Sequence, residues 1–263
     1  MNLPGYRTLG TAPDGEHVLV VMLNRPEVLN ALNTQMGRDQ LELWTRLAAE
    51  PGELRCVVLT GAGDRAFCAG GDLKERDGMT EAAWRAQHEI FERMFMALME
   101  LPLPVIAAVN GHAFGGGLEM ALACDFIYAA KNARFALSEV SLGIMPGGCG
   151  TQNLPRAVGE RRAKELILTA QPFTAEEGAQ WGLVSRVCDK VLDDALATAR
   201  RIAANAPLAV QAMKRLYRHG LTEDFSSHTH HVLLQVMQLF GTKDFAEGVN
   251  SWLEKRPASF EGR

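Results

Sequence analysis

The chain has no CxxC pair. Its five cysteines, at positions 56, 68, 124, 149 and 188, are odd in number and show no pairing pattern. This argues against a disulfide frame or a zinc site and reads as reduced, buried thiols of a cytoplasmic protein. Basic residues do not cluster and the net charge is −4, so nucleic acid is not an expected partner. The longest apolar stretch, near 94–109, is broken by Glu100, Pro102 and Pro104; no membrane span and no membrane partner are expected. The first residues carry no basic region followed by an apolar one, so no cleaved targeting segment is inferred. Low-complexity segments are absent too. What remains is an ordinary globular balance, 47% hydrophobic and 22% charged over 263 residues, enough for one large domain or a core with an appendage.

The most informative stretch is 105–125, VIAAVNGHAFGGGLEMALACD. A short apolar run turns at Asn110-Gly111 and passes through Gly115, Gly116 and Gly117. It then enters an alanine-rich run with helical spacing and one acid, Glu119, in its first turn. Each glycine costs about 1 kcal/mol against alanine inside a helix. Three in a row point to a place where something must approach the backbone. The first N–H groups of a helix lack intrahelical partners and lie at the positive end of its dipole. Such a start suits an anion or a developing oxyanion.

The rest of the chain alternates. Strands are expected at 17–23, 55–60, 105–109, 125–129, 134–137 and 184–187. Helices are expected at 34–49, with Thr34 as its cap, at 80–99, at 159–169, and at 174–181 with Thr174 and Glu177 as a capping box. A second glycine turn, Gly70-Gly71, precedes Asp72, a plausible N-cap. A glycine-rich loop spans 143–150. Beyond Pro207 the pattern is helical only. Strand–turn–helix units recurring through the front suggest repeated α/β turns.

Four features could converge: Glu119, Glu139, and the N–H groups of Gly71 and Gly116, each opening a helix after a glycine turn. Two carboxylates facing one pocket can divide acid and base work, because burial and mutual repulsion separate their pKa values. Two N–H groups aimed at one carbonyl oxygen form an oxyanion hole, in which one donor is worth about 2.7–4 kcal/mol.

The segments LNRPEVLNALN, AFCAGGDLKE, PVIAAVNGHAFGGGLEMALACDF, SEVSLGIMPGGCGTQNLPRAVG and FTAEEGAQWGLVSRV resemble the enoyl-CoA hydratase/isomerase, or crotonase, family over nearly the whole chain. The resemblance implies an α/β fold: a crotonase-like spiral of ββα units over residues 1–205, carrying the active site, and an all-helical trimerisation region over 206–263. It implies an acyl-CoA thioester as substrate and self-association as a trimer or dimer of trimers. Gly71 and Gly116 would hold the thioester oxygen. Ala69 would meet the adenine, and Asp72, Leu73 and Lys74 would flank the coenzyme A channel. Glu119 and Glu139 fall on the positions that carry acid–base catalysis in the hydratases. The implied reaction is reversible addition of water across a 2-enoyl-CoA double bond. Glu119 would take the water proton and Glu139 would protonate Cα, with the reverse division left open. No metal or other cofactor is expected, because N–H dipoles can hold the enolate charge. Isomerisation, dehydration or hydrolysis on the same scaffold is the nearest alternative. A non-catalytic acyl-CoA or RNA binder ranks lower, since helix 34–49 offers only Arg38 and Arg46.

Other features have plainer readings. Cys68 and Cys149 lie near the expected pocket without a base beside them, and read as packing. His228–His231 reads as surface histidines, with no acid expected to complete a metal site. Asn153 stands where relatives resemble arginine, which puts any contact of that arginine in doubt.

Overall fold

The computed structural model describes residues 3–263. The chain opens with β1 (Leu9–Asp14), β2 (Val18–Leu23), α1 (Thr34–Ala49), β3 (Cys56–Gly61), β4 (Ala66–Cys68), α2 (Leu73–Arg76) and α3 (Glu81–Glu100). It continues with β5 (Val105–Val109), β6 (His112–Phe114), α4 (Gly116–Ala123), β7 (Phe126–Ala130), β8 (Arg134–Ala136), α5 (Gly150–Val158) and α6 (Glu160–Thr169). Then come β9 (Phe173–Thr174), α7 (Ala175–Gln180), β10 (Val184–Cys188) and α8 (Val191–Ala203). The tail is α9 (Pro207–Gly220), α10 (Phe225–Phe240) and α11 (Lys243–Glu254).

The strands form two sheets, ordered β1-β2-β3-β5-β7-β10 and β4-β6-β8-β9. Successive strands alternate between them: β3, β5 and β7 join the large sheet, and β4, β6 and β8 join the small one. A helix follows each pair and returns the chain for the next turn. This is the expected spiral of ββα units. Among the described residues only β1–β2 and β8–β9 pair antiparallel.

Strands β2, β3 and β5 in the middle of the large sheet are buried on both faces, which is why they read as unbroken apolar runs. Val57, Leu59, Val105, Ala107 and Val109 face a core closed by α1 and α3, with Leu43, Trp44, Met94 and Leu98. The alternate residues Cys56, Val58, Ile106 and Ala108 face Val191, Ala195 and Ala199 of α8.

Several expectations need correction. Thr34 does not cap α1; Asn33 does, its side chain accepting from the N–H of Met36. The turn at Asn110-Gly111 does not lead straight into the glycines, because β6 intervenes in the second sheet. Strands of three residues leave no periodicity to read. Strand β1 was missed because Gly10 and Pro13 weaken its pattern, and Pro13 is tolerated because β1 is an edge. Helix α5 was missed as well; it carries Pro155 inside it.

Two ties set where α4 begins. The Asn110 side chain accepts from the N–H of Gly61 and donates to the carbonyls of Gly61 and Gly63, fastening the end of β5 to that of β3. Gly117 packs directly on the end of β4. A Cβ there would stand 2.8 Å from the carbonyl carbon of Cys68 and closer still to its oxygen. Gly117→Ala should therefore destabilise the protein by at least about 3 kcal/mol, because backbone on both sides must move. A melting curve of the variant within about a degree of wild type would refute this packing constraint.

Candidate active site

The two glycine turns meet where β4 and β6 run side by side. Gly115 has φ +51 and ends the approach to α4. A Cβ on Gly116 would lie 3.9 Å from the nitrogen of Gly71, and one on Gly70 would lie 3.6 Å from the nitrogen of Gly116. Gly116 is the first residue of α4, so its N–H lacks an intrahelical partner. The N–H of Gly71 takes no backbone acceptor in its turn, whereas its neighbours are committed: Ala69 donates to Leu29 and Asp72 to Leu32. Two unclaimed donors thus stand a few ångströms apart.

Glu119 and Glu139 come to the same place. Glu119 lies in the first turn of α4 and is 3% exposed. Its Oε1 accepts from the N–H groups of Gly148, Cys149 and Gly150 at 2.9, 3.0 and 2.8 Å. These groups form the N-terminal end of α5, so the carboxylate meets the positive end of a helix. Burial pushes its pKa up, and the N–H bonds pull it partly back. All three bonds fall on Oε1, which leaves Oε2 for another partner.

Glu139 opens a 3-10 turn, Glu139–Leu142, and is 8% exposed. Its Oε2 is buried with no hydrogen-bond partner. Its Oε1 lies 3.1 Å from the point a Cβ on Gly115 would occupy. Burial pushes its pKa up to about 7; the charge of Glu119 adds to that, while its own backbone N–H and Arg76 oppose it. An orphaned carboxyl oxygen beside two free N–H groups is costly unless something is meant to bind there. One acid is thus held by three backbone donors, and the other keeps an unpartnered oxygen and a higher affinity for its proton than an exposed glutamate.

A match to the family model described as enoyl-CoA hydratase/isomerase covers residues 14–263. The chain belongs to the enoyl-CoA hydratase/isomerase family. It is 39% identical to the short-chain-enoyl-CoA hydratase of Clostridium acetobutylicum over 91% of this chain and 92% of that protein. It is also 39% identical to the (E)-benzylidenesuccinyl-CoA hydratase of Thauera aromatica, over 94% and 96%. The crystal structure of an enoyl-CoA hydratase from Bacillus anthracis superposes with a TM-score of 0.95 at 38% identity, covering 98% of this chain and all of that one.

Asp72 caps α2, accepting from the N–H groups of Lys74 and Glu75, and pairs with Arg25 at 2.9 Å. Its carboxylate is thus committed to structure. Leu73 and Lys74 are exposed beside it, and Ala69 is half-buried with only its carbonyl uncommitted by the turn. Cys68 and Cys149 are buried free thiols, pushed up by burial to about 11 and about 12. Asn153 donates to the Leu122 carbonyl and approaches the Met99 sulfur, a structural role. For the histidine run, an acid is present after all: Oε2 of Glu223 bonds the rings of His228 and His231. Sequence reasoning missed the amides of residues 148–150 that hold Glu119, and it missed Arg76 and Gln87 at the wall of the site. A backbone donor carries no side-chain signature, and a lone arginine after LKE has no telling spacing.

Glu139 carries a stability signature. Its folded pKa, about 7, lies above the ordinary 4.5. Its favourable contribution is complete below the ordinary value and is lost as pH rises through about 7. Glu139→Gln removes that loss. The melting temperature of Glu139→Gln relative to wild type should rise between pH 5 and pH 8; a difference that is flat or falls would contradict a buried, unpartnered carboxyl.

Proposed function

We propose that this protein is an enoyl-CoA hydratase, adding water reversibly across the 2,3 double bond of a 2-enoyl-CoA thioester. The observation that carries this reading is the pair of buried glutamates beside two unclaimed N–H groups, one acid held by three backbone donors and the other with an unpartnered oxygen and a pKa pushed up to about 7. The names of the relatives point the same way.

The thioester oxygen would accept from Gly71 and Gly116. That withdraws charge along the conjugated system and makes Cβ electrophilic. A water held by both acids would attack Cβ while Glu119 takes its proton through Oε2. The enolate charge would rest on the two N–H groups until Glu139 delivers its proton to Cα. One O–H bond of water breaks, C–O and C–H bonds form, and a proton exchange with solvent resets the pair. The donors that grip Glu119 favour its ionised form, and the unpartnered burial of Glu139 favours the neutral form, so this division fits the chemistry better than its reverse. Such a scheme asks for no cofactor besides the coenzyme A of the substrate. Exposed Leu73, Leu142 and Met145 would offer apolar cover at the mouth, with Ala69, Asp72 and Lys74 along the coenzyme A channel.

The core would be residues 1–205, and the helical tail, 206–263, would be the self-association region of a trimer or a dimer of trimers. Phe225 and Trp252 are 89% and 79% exposed in the single chain. An apolar hollow of ≈ 570 Å³ lies among Leu208, Phe245, Val249, Trp252 and Phe260. Apolar surface of that extent is what an obligate interface would cover. No helix among the described residues is long and apolar enough to cross a membrane, in keeping with a cytoplasmic enzyme.

Hydration of crotonyl-CoA, followed by loss of the enoyl absorbance, tests the reading. Glu119→Gln and Glu139→Gln should each lower kcat by about 100- to 10,000-fold. In wild type, kcat/KM should fall as pH rises through about 7, where Glu139 gives up its proton. Near-normal turnover in either variant would remove that residue from the scheme.

A further inference from the structure

Arg76, the last residue of α2, lies over Gly71. A Cβ on Gly71 would stand 3.0 Å from the guanidinium carbon and from one terminal nitrogen, and 3.2 Å from the other. The guanidinium therefore lines the wall beside one of the two free N–H groups, and the charge of Glu139 acts on it. It is not a solvent-borne surface charge. Its Nε donates to Oε1 of Gln87 at 3.2 Å. Gln87 is 2% exposed and is itself fixed, its amide donating to Oγ1 of Thr34 and to Oε2 of Glu75. That Glu75 oxygen also accepts from the N–H of Thr34. A buried amide with both its donors committed thus holds the arginine in place.

Among the described residues Arg76 forms no ion pair. Glu75 has turned to Gln87 and Thr34, and Glu139 keeps an unbonded oxygen. Burial lowers the pKa of the guanidinium, with Glu75 and Glu139 opposing, yet an arginine stays charged. Trp84 stacks on His88 at 4.0 Å between centroids, and burial, joined by the positive charge of Arg76, holds His88 below its ordinary pKa. A half-buried, positioned cation with two terminal nitrogens unspent is a poor neighbour for a purely aliphatic acyl chain. It suits a planar anion, which the fork can grip by two parallel bonds.

We infer that Arg76 selects 2-enoyl-CoA thioesters whose acyl chain carries a second carboxylate at its far end, the fork of Arg76 binding that carboxylate. This rests on the hydratase reading and narrows its substrate class. The acyl carboxylate would supply the counter-charge that the protein withholds, without drawing on Glu139, whose neutral form the reaction needs.

The test compares kcat/KM for glutaconyl-CoA with that for 5-methylhex-2-enoyl-CoA, in which an isopropyl group replaces the carboxylate. A second matched pair, longer by one methylene, allows for chain length. Wild type should favour the carboxylated member of at least one pair. Arg76→Leu should lower that ratio by about 10- to 100-fold, the worth of a hydrogen bond to a charged group. Arg76→Lys, which keeps the charge and loses the fork, should fall between them. The ratio within one variant cancels whatever effect Arg76 has on Glu139 with both thioesters alike, and turnover of the neutral thioester shows that the variant is folded. An unchanged ratio in Arg76→Leu overturns the assignment. So does an equal fall for both thioesters, which would mean that Arg76 meets the phosphates of coenzyme A. If wild type hydrates no enoyl thioester, including crotonyl-CoA, the hydratase reading itself fails; turnover of crotonyl-CoA with an unchanged ratio sinks only the role of Arg76.

Discussion

The near-contact of Gly117 with the Cys68 carbonyl is the constraint on which the site depends. The ββα spiral brings β4 and β6 together as neighbours in the small sheet, but pairing alone does not fix where the next helix starts. The absence of a Cβ at Gly117 lets α4 sit directly on the end of β4. That puts the N–H of Gly116 beside the turn that follows β4, where Gly71 lies. The two donors come from chain segments far apart in sequence, and neither turn could form the pair alone. Strand order, register and one missing methyl group set their spacing together.

The electrostatics of the acids follow from the same placement. Because α4 begins at Gly116, Glu119 falls in its first turn and meets the N-terminal end of α5. A carboxylate there receives three backbone donors and the favourable end of a helix dipole. Glu139 arrives on a tight 3-10 turn after β8, next to Gly115, with no donor for one of its oxygens. Similar burial thus raises the pKa of both acids, but backbone donors offset part of the rise for Glu119, while one oxygen of Glu139 has no donor. A common environment would have left a coupled pair without a defined donor and acceptor.

Much of this was legible in the amino-acid order, for identifiable reasons. Strands β2, β3 and β5 are buried on both faces and so announce themselves as β-branched runs, and α1 and α3 carry their apolar residues at helical spacing. The glycine clusters marked both donor turns, since nothing but a close approach explains them. Three-residue strands such as β4 and β6 have no period, so the second sheet stayed hidden. Helix α5 was hidden by its glycine-rich entry and by Pro155. The partners of Glu119 are main-chain amides, and the site of Arg76 is created by the fold of α2 against Gly71. Neither has a signature in residue type or spacing.

The same network that holds Arg76 also keeps it from spoiling the acid. A guanidinium free to swing would form an ion pair with Glu139, lower its pKa and leave no proton to give to Cα. Gln87 prevents this by taking the Nε of Arg76, while Glu75, the other acid within electrostatic reach, is spent on Gln87 and Thr34. The arginine is therefore near enough to moderate Glu139, whose pKa stops at about 7, and too well fastened to neutralise it. A carboxylate arriving on the acyl chain would offset the charge of the fork where it stands and leave Glu139 more fully protonated. On this argument, charge complementarity at the far end of the substrate and proton availability at Cα are linked through one side chain.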